Sequence, residues 1–62
     1  MDLDLNMNPN ILVSIVNMKL RNDFSDLKDL CYYYNIKEEE LQEKLETEDY
    51  FYCEQKKQFL IK

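Results

Sequence analysis

The chain has 62 residues, enough for one domain with a marginal core, because so short a chain buries only about 60% of the surface that its unfolded form exposes. It is 45% apolar, which is enough for it to fold, and its formal net charge is -5. That charge disfavours nonspecific attraction to nucleic acids and anionic membranes. No apolar run approaches the roughly 20 residues that span a bilayer, and the acidic amino terminus lacks the positive region of a signal peptide. We therefore expect a cytoplasmic protein without membrane contacts.

The first predicted helix follows a short leader. Residues 1–7 contain no helix start, so we interpret them as a flexible leader ahead of a single domain at residues 8–62. Asn8 is a typical N-cap, and Pro9 suits the first helical position, where its missing N–H is harmless. The helix should run to Arg21 and end at residues 22–23. Its apolar residues form two adjacent rows on one wide face: Ile11, Ile15 and Met18 in the first, and Leu12, Val16 and Leu20 in the second.

Two shorter helices are predicted next. Ser25 is expected to cap the second helix, and Asn35 to end it in the left-handed conformation, which Asn tolerates in a chain without glycine. Asn22 and Asp49 are the other candidates for a positive φ. The third helix should begin near residues 37–38 and end at residues 47–49. Helical spacing places these residues in the core: Leu27, Leu30, Cys31 and Tyr34 from the second helix, and Leu41 and Leu45 from the third.

The last part of the chain favours two strands. Residues 50–53 and 58–61 are rich in strand-forming residues and are separated by a polar turn at residues 54–57. Alternation puts Tyr50 and Tyr52 on one face and Phe51 and Cys53 on the other, but it does not decide which face is buried. Three helices followed by a hairpin are the order of a winged helix-turn-helix domain. We predict a mainly α fold with a small β-hairpin, a three-helix winged helix-turn-helix-like domain.

The charge of the third helix argues against the usual function of such a domain. Residues 38–46 carry five glutamates and one lysine, and a phosphate backbone would repel that surface. We therefore expect no binding to nucleic acid. The alternative is a DNA-binding accessory regulator that contacts DNA through the lysines of the hairpin, Lys56, Lys57 and Lys62.

A resemblance to a known family is carried by residues 10–21, residues 25–31, residues 40–45, Tyr50, Phe51, Tyr52, Gln58 and Phe59. Through these residues the chain resembles, from Asn8 to Phe59, the DUF4250 family of very small bacterial proteins. The resemblance implies no activity. It does imply that Tyr50 and Tyr52 face the core and that Phe51 faces outward. Members of the family often have Asp and Gly where this chain has Asn22 and Asp49.

No enzymatic chemistry is indicated. The chain has no histidine and no glycine, which removes a common catalytic base and the phosphate-binding loops. The acidic run at residues 38–40 does not indicate a metal site, since adjacent helical side chains point about 100° apart. Cys31 and Cys53 cannot complete a four-ligand zinc site, and we expect two reduced, largely buried thiols. We predict no catalytic residue, cofactor, metal or small-molecule ligand.

Two polar residues of the first helix have structural interpretations. Asn17 lies on an otherwise apolar helix, where its amide is expected either to hydrogen-bond a neighbouring backbone or to be exposed. Arg21 is expected to pair with Asp23, Asp26 or Asp29 and to hold the turn between the first two helices.

Tyr32 and Tyr33 lie outside the core row of the second helix. Exposed tyrosines are typical of protein interfaces and of nucleic-acid stacking platforms, but the acidic neighbours disfavour the second use. The alternative is that both rings lie half-buried against the first helix. We predict a non-enzymatic protein-interaction module that binds a protein partner or a second copy of itself. Its candidate interface residues are Tyr32, Tyr33 and Phe51.

Overall fold

The computed structural model describes residues 3–62 and consists of three helices followed by a two-stranded antiparallel hairpin. This confirms the predicted mainly α fold with a small β-hairpin, and the arrangement is compatible with a winged helix-turn-helix domain. Within the described residues, no helix combines the length and the apolar character needed to cross a bilayer. The elements are α1 (Pro9–Asn22), α2 (Leu27–Tyr34), α3 (Glu38–Glu46), β1 (Tyr50–Cys53) and β2 (Gln58–Ile61).

Helix α1 begins as predicted and ends one residue later than predicted. The Asn8 side chain accepts a hydrogen bond of 2.8 Å from the Asn10 backbone N–H, and Pro9 occupies the first helical position. At the other end, the backbone N–H groups of Asp23 and Phe24 both donate to the carbonyl oxygen of Lys19. These bonds keep the chain in right-handed conformations through residue 23, so the positive φ predicted for Asn22 is wrong. Positive φ occurs instead at Asn35 and Asp49, as predicted, and at Lys57 in the hairpin turn.

Helix α2 is capped by Asp26, so the prediction of Ser25 as its N-cap is wrong. The extended backbone of Asp26, with φ -159°, lets its carboxylate accept a hydrogen bond of 2.9 Å from the Asp29 N–H. Ser25 supports the same turn through its hydroxyl, which donates to the Asp29 carboxylate. Helix α2 ends at Asn35, whose left-handed conformation has φ 56°. The chain then turns directly into α3.

The core is built mainly from leucines of the three helices. The row of α1 that contains Leu12, Val16 and Leu20 is buried, whereas in the other row only Ile15 is buried, and Ile11 and Met18 are exposed. Val13 and Lys19 are also buried, which the two predicted rows did not include. Val13 lies one helical turn from Asn17, on the side of α1 against which β2 packs. The other members of the core are Leu27, Leu30, Cys31, Leu41, Leu45 and Phe59.

The hairpin presents its tyrosines to this core. In the antiparallel register Tyr50 pairs with Ile61, and Tyr52 pairs with Phe59. Tyr50 and Tyr52 are half-buried against the core, whereas Phe51 is exposed. The structure therefore confirms the strand orientation that the family resemblance implied.

The segment before α1 also contacts the core. Leu3, Leu5 and Met7 are half-buried and pack against it, and the Met7 N–H donates to the Asp4 carbonyl oxygen at 3.0 Å. The domain boundary at residue 8 and the flexibility of residues 1–7 stay predictions.

Candidate protein-interaction surface

The predicted interface residues Tyr32 and Tyr33 lie together on the outer face of α2. The core row of this helix uses the positions at residues 27, 30, 31 and 34, so helical geometry directs the two intervening side chains away from the core. Tyr32 is 89% exposed and Tyr33 is 71% exposed. The alternative in which both rings lie half-buried against α1 is therefore wrong.

A third aromatic ring, that of Phe24 from the α1–α2 loop, joins this surface. The ring centroids of Phe24 and Tyr33 lie 5.4 Å apart, and those of Tyr33 and Tyr34 lie 4.9 Å apart. The Tyr34 ring in turn lies under the buried cation of Lys19, whose Nζ is 5.3 Å from the ring centroid. These contacts tie Tyr33 to the edge of the core, while Tyr32 projects beyond it.

A shallow cleft of about 870 Å³ lies between the α1–α2 loop and α2. We call five of its lining residues the tyrosine surface: Asp23, Phe24, Asp29, Tyr32 and Tyr33. Three aromatic rings and two carboxylates therefore share one open cleft. Sequence reasoning identified the two tyrosines but missed Phe24. The available signal was that Phe24 is the only apolar residue between the end of α1 and the start of α2.

The carboxylates of this surface are not paired with Arg21, contrary to the prediction. The Arg21 Nη1 donates instead to the Gln58 side-chain oxygen at 3.4 Å, on the hairpin. The physical reason is the helical position of Arg21, one turn after Asn17, on the side of α1 that faces β2. Asp23 and Asp29 therefore lie beside the tyrosines without this guanidinium as a partner.

The third predicted interface residue, Phe51, lies elsewhere. It is 40% exposed and lines a smaller hollow between the hairpin and α3, together with Gln42 and Glu46. The structure therefore brings Tyr32 and Tyr33 into one cleft and places Phe51 on a different element.

The lysines proposed as alternative DNA contacts lie at the hairpin turn and at its end. Lys57 lines a hollow together with the carboxylates of Asp26, Glu38 and Glu54. Lys62 lines the hollow of Phe51 together with Glu46. Lys56 is exposed in the turn. Two of the three lysines thus have acidic neighbours, which weaken the positive potential that a phosphate backbone would require.

The two thiols have different environments. Cys31 is buried in the core, and Cys53 is half-buried in β1. Burial raises the pKa of the Cys31 thiol to about 11, and the negative charge of Glu38 adds to the rise. Within residues 3–62, no three potential ligands among Cys, Asp and Glu side chains are close enough to hold a metal ion.

The amide of Asn17 joins α1 to the hairpin. Its Nδ2 donates to the Phe59 carbonyl oxygen at 3.1 Å, and its Oδ1 accepts from the Phe59 N–H at 2.7 Å. The amide thus pairs with the outer edge of β2 as a neighbouring strand would. This decides between the two interpretations of Asn17: it is a structural residue that hydrogen-bonds a neighbouring backbone.

The hydroxyl groups of the core-facing tyrosines also connect the hairpin to the helices. The Tyr50 hydroxyl donates to Asn10 Oδ1 at 2.9 Å, at the start of α1. The Tyr52 hydroxyl accepts from the Leu27 N–H at 3.2 Å, at the start of α2, where the backbone N–H has no partner within the helix.

Comparison with known families classifies the chain. Residues 6–59 match the sequence profile of the family described as domain of unknown function (DUF4250). The chain belongs to the DUF4250 family. Comparisons with curated proteins and with solved structures found no match.

In this DUF4250 domain, the residues that carry the family resemblance attach the hairpin. Asn17 and Phe59 form the pairing between α1 and β2, Arg21 bonds to Gln58, and Tyr52 bonds to the start of α2. The tyrosine pair of α2 lies outside the set that carries the resemblance. The family is described as a domain of unknown function, so the assignment gives no function to the tyrosine surface.

Proposed function

We propose that this domain is a non-enzymatic, cytoplasmic protein-interaction module that binds a partner protein, or a second copy of itself, through the tyrosine surface. The observation that carries the proposal is the exposure of Tyr32 and Tyr33, 89% and 71%, beside the ring of Phe24. Tyrosines supply large contact areas at interfaces and are enriched among the residues that dominate binding energy.

The other two surfaces that could bind a protein are weaker candidates. On α1, only Ile11 and Met18 remain exposed from the wide apolar face, because the core absorbs the rest. Phe51 is more than half covered by its neighbours on the hairpin. A single half-covered ring offers less area than three rings in one cleft, so we assign Phe51 a secondary role at most.

Binding to DNA through the hairpin is disfavoured by charge. The exposed residues of α3 include Glu39, Glu40, Glu43 and Glu46, and the hollow lined by Lys57 and Lys28 contains three carboxylates. A DNA backbone close enough to reach the hairpin lysines would also approach these carboxylates. We therefore propose that nucleic acid is not the partner.

The proposal is tested by comparing two variants of the full chain as bait. In the first, Tyr32→Ser is combined with Tyr33→Ser. In the second, the control, Phe51→Ser removes an exposed ring from a different surface. Each bait is used for quantitative affinity purification from native cells, and its oligomeric state is measured by sedimentation. Thermal melting first establishes that both variants are folded.

We expect the double tyrosine variant to lose most of its partner capture or self-association. Phe51→Ser should retain the same activity as the wild type in both measurements. The reverse result would assign the interface to the hairpin. Equal capture by wild type and the tyrosine variant would remove the tyrosine surface from the proposal.

A further inference from the structure

We infer that the tyrosine surface binds an arginine side chain in a basic segment of a partner protein. The inference rests on the proposed function and adds the chemistry of the partner. Two features of the cleft carry it: aromatic rings that can hold a cation, and carboxylates that match its charge.

A tyrosine ring next to the cleft, that of Tyr34, already holds a cation. Tyr33 and Tyr34 are in edge contact, and the Lys19 ammonium lies 5.3 Å from the Tyr34 centroid, within the distance of a cation–π interaction. Lys19, which carries this cation, is itself a buried residue. The exposed rings of Tyr32 and Tyr33 offer the same type of contact on the solvent side.

The carboxylates supply the charge that an incoming cation needs. Asp23 and Asp29 line the same cleft as the rings. Ser25 donates to Oδ2 of Asp29, which orients this carboxylate, and Asp29 is an exposed residue. Arg21, which the sequence suggests as a partner for them, donates to Gln58 instead. The net charge of -5 adds a long-range attraction for a basic partner.

The rings and carboxylates that line the cleft favour a guanidinium over a quaternary ammonium. A guanidinium is planar, so it can stack on a tyrosine while its N–H groups donate to a carboxylate. A quaternary ammonium has no N–H group to donate to Asp23 or Asp29. The cleft is also open on its solvent side, which suits a side chain that enters from another polypeptide.

The inference is tested by NMR titration of the full chain with a capped Gly-Arg-Arg-Gly peptide. Two further probes are the same peptide with citrulline in place of arginine, which keeps the shape but removes the charge, and tetramethylammonium chloride. The variants are Tyr32→Ser and Asp29→Asn, and Phe51→Ser is the control. Tyr32→Ser is a suitable variant because Tyr32 is highly exposed, so its replacement should weaken peptide binding without unfolding the domain.

We expect saturable shifts at Phe24, Tyr32 and Tyr33 with the arginine peptide. Binding of the citrulline peptide should be at least about tenfold weaker, since it lacks the charge for both the cation–π and the carboxylate contact. Tyr32→Ser and Asp29→Asn should each weaken binding by about threefold or more, and Phe51→Ser should not change it.

Three results would overturn the inference: equal binding of the citrulline peptide, shifts confined to the hairpin or α3, or displacement of the arginine peptide by tetramethylammonium at lower concentration. The last would assign the cleft to a small quaternary amine. If arginine binding fails while partner capture still depends on the tyrosines, only this inference is wrong. If capture is independent of the tyrosines, the proposed function is wrong as well.

Discussion

Replacing Asn17 with alanine should destabilise the domain more than replacing any of the exposed polar residues of α1 with alanine. The substitution removes both hydrogen bonds between the Asn17 amide and the backbone of Phe59, of 2.7 Å and 3.1 Å. Phe59 is only 3% exposed, so its N–H and carbonyl groups lose their partners in a largely dry environment. Each buried backbone group left without a partner costs about 1–3 kcal/mol.

The net cost is lower than the sum of these two penalties. Asn17 is only half-buried, so water can enter the space that the amide leaves and satisfy part of the backbone. Alanine also has a better helix propensity than asparagine, which offsets about 0.5 kcal/mol of the loss in the free energy of unfolding. We expect a net loss of about 2 kcal/mol in the free energy of unfolding. For a domain of this size, that loss lowers the Tm by about 8–16 °C.

Asn10→Ala is the matched control. It carries the same change in helix propensity on the same helix, but it removes only the exposed hydrogen bond from the Tyr50 hydroxyl. Its expected cost is below about 1 kcal/mol. Both variants are measured by urea and thermal unfolding followed by circular dichroism. If Asn17→Ala lowers the Tm no more than Asn10→Ala does, the pairing of Asn17 with β2 does not stabilise the hairpin.

Asn17→Asp tests the same pairing through pH. A protonated carboxyl group can accept from the Phe59 N–H and donate to the Phe59 carbonyl, as the amide does, whereas a carboxylate places a negative oxygen against that carbonyl. The pKa of the introduced group should therefore be higher in the folded state than in the unfolded state. Its contribution to stability is then full at low pH and is lost as the pH rises through the folded pKa. The Tm difference from wild type should be larger at pH 7 than at pH 3.

Three further predictions concern the core, the thiols and nucleic acid. Leu41→Ala should lower the free energy of unfolding by about 2–5 kcal/mol and unfold much of the population, whereas Phe51→Ser should lower it by about 1–2 kcal/mol. Urea unfolding compares the two variants, and equal losses would mean that Phe51 belongs to the core. At pH 8 an alkylating reagent should modify Cys53 faster than Cys31, because burial raises the pKa of the Cys31 thiol to about 11. A mass-spectrometric time course measures both rates, and faster labelling of Cys31 would contradict this prediction. Pooled duplex DNA should show no mobility shift even at low salt, and a shift that weakens steeply with added salt would instead support the hairpin lysines.

The sequence predicts the helices and the hairpin of this domain well because local signals mark their ends. The start of α1 is marked by Asn8 and Pro9, and the end of α2 is marked by Asn35. These residues have backbone preferences that do not depend on the rest of the fold, and both helix ends lie where they were expected. The N-cap of α2 was predicted wrongly because Ser25 and Asp26 are both good caps in adjacent positions. Only the path of the chain after α1 decides which of them reaches the Asp29 N–H.

Contacts between distant parts of the chain are less accessible to sequence reasoning. Arg21 has three acidic residues within a few positions, so local charge suggested an ion pair across the turn. The structure directs it to Gln58, 37 positions along the chain, because the hairpin packs against that side of α1. The place of Phe24 in the tyrosine surface depends on the same long-range packing, since a lone aromatic in a loop has no periodic pattern to mark its direction.

The five tyrosines of this chain divide into two groups, and that division supports the proposed interface. Tyr50 and Tyr52 lie against the core, and their hydroxyl groups bond to the first turns of α1 and α2. Tyr34 packs against the core and lies under a buried ammonium group. These three therefore stabilise the fold. Tyr32 and Tyr33 remain mostly exposed, so their area contributes little to folding and is available to a partner. A marginal core gains stability from such binding, because a partner that binds only the folded state shifts the folding equilibrium toward it.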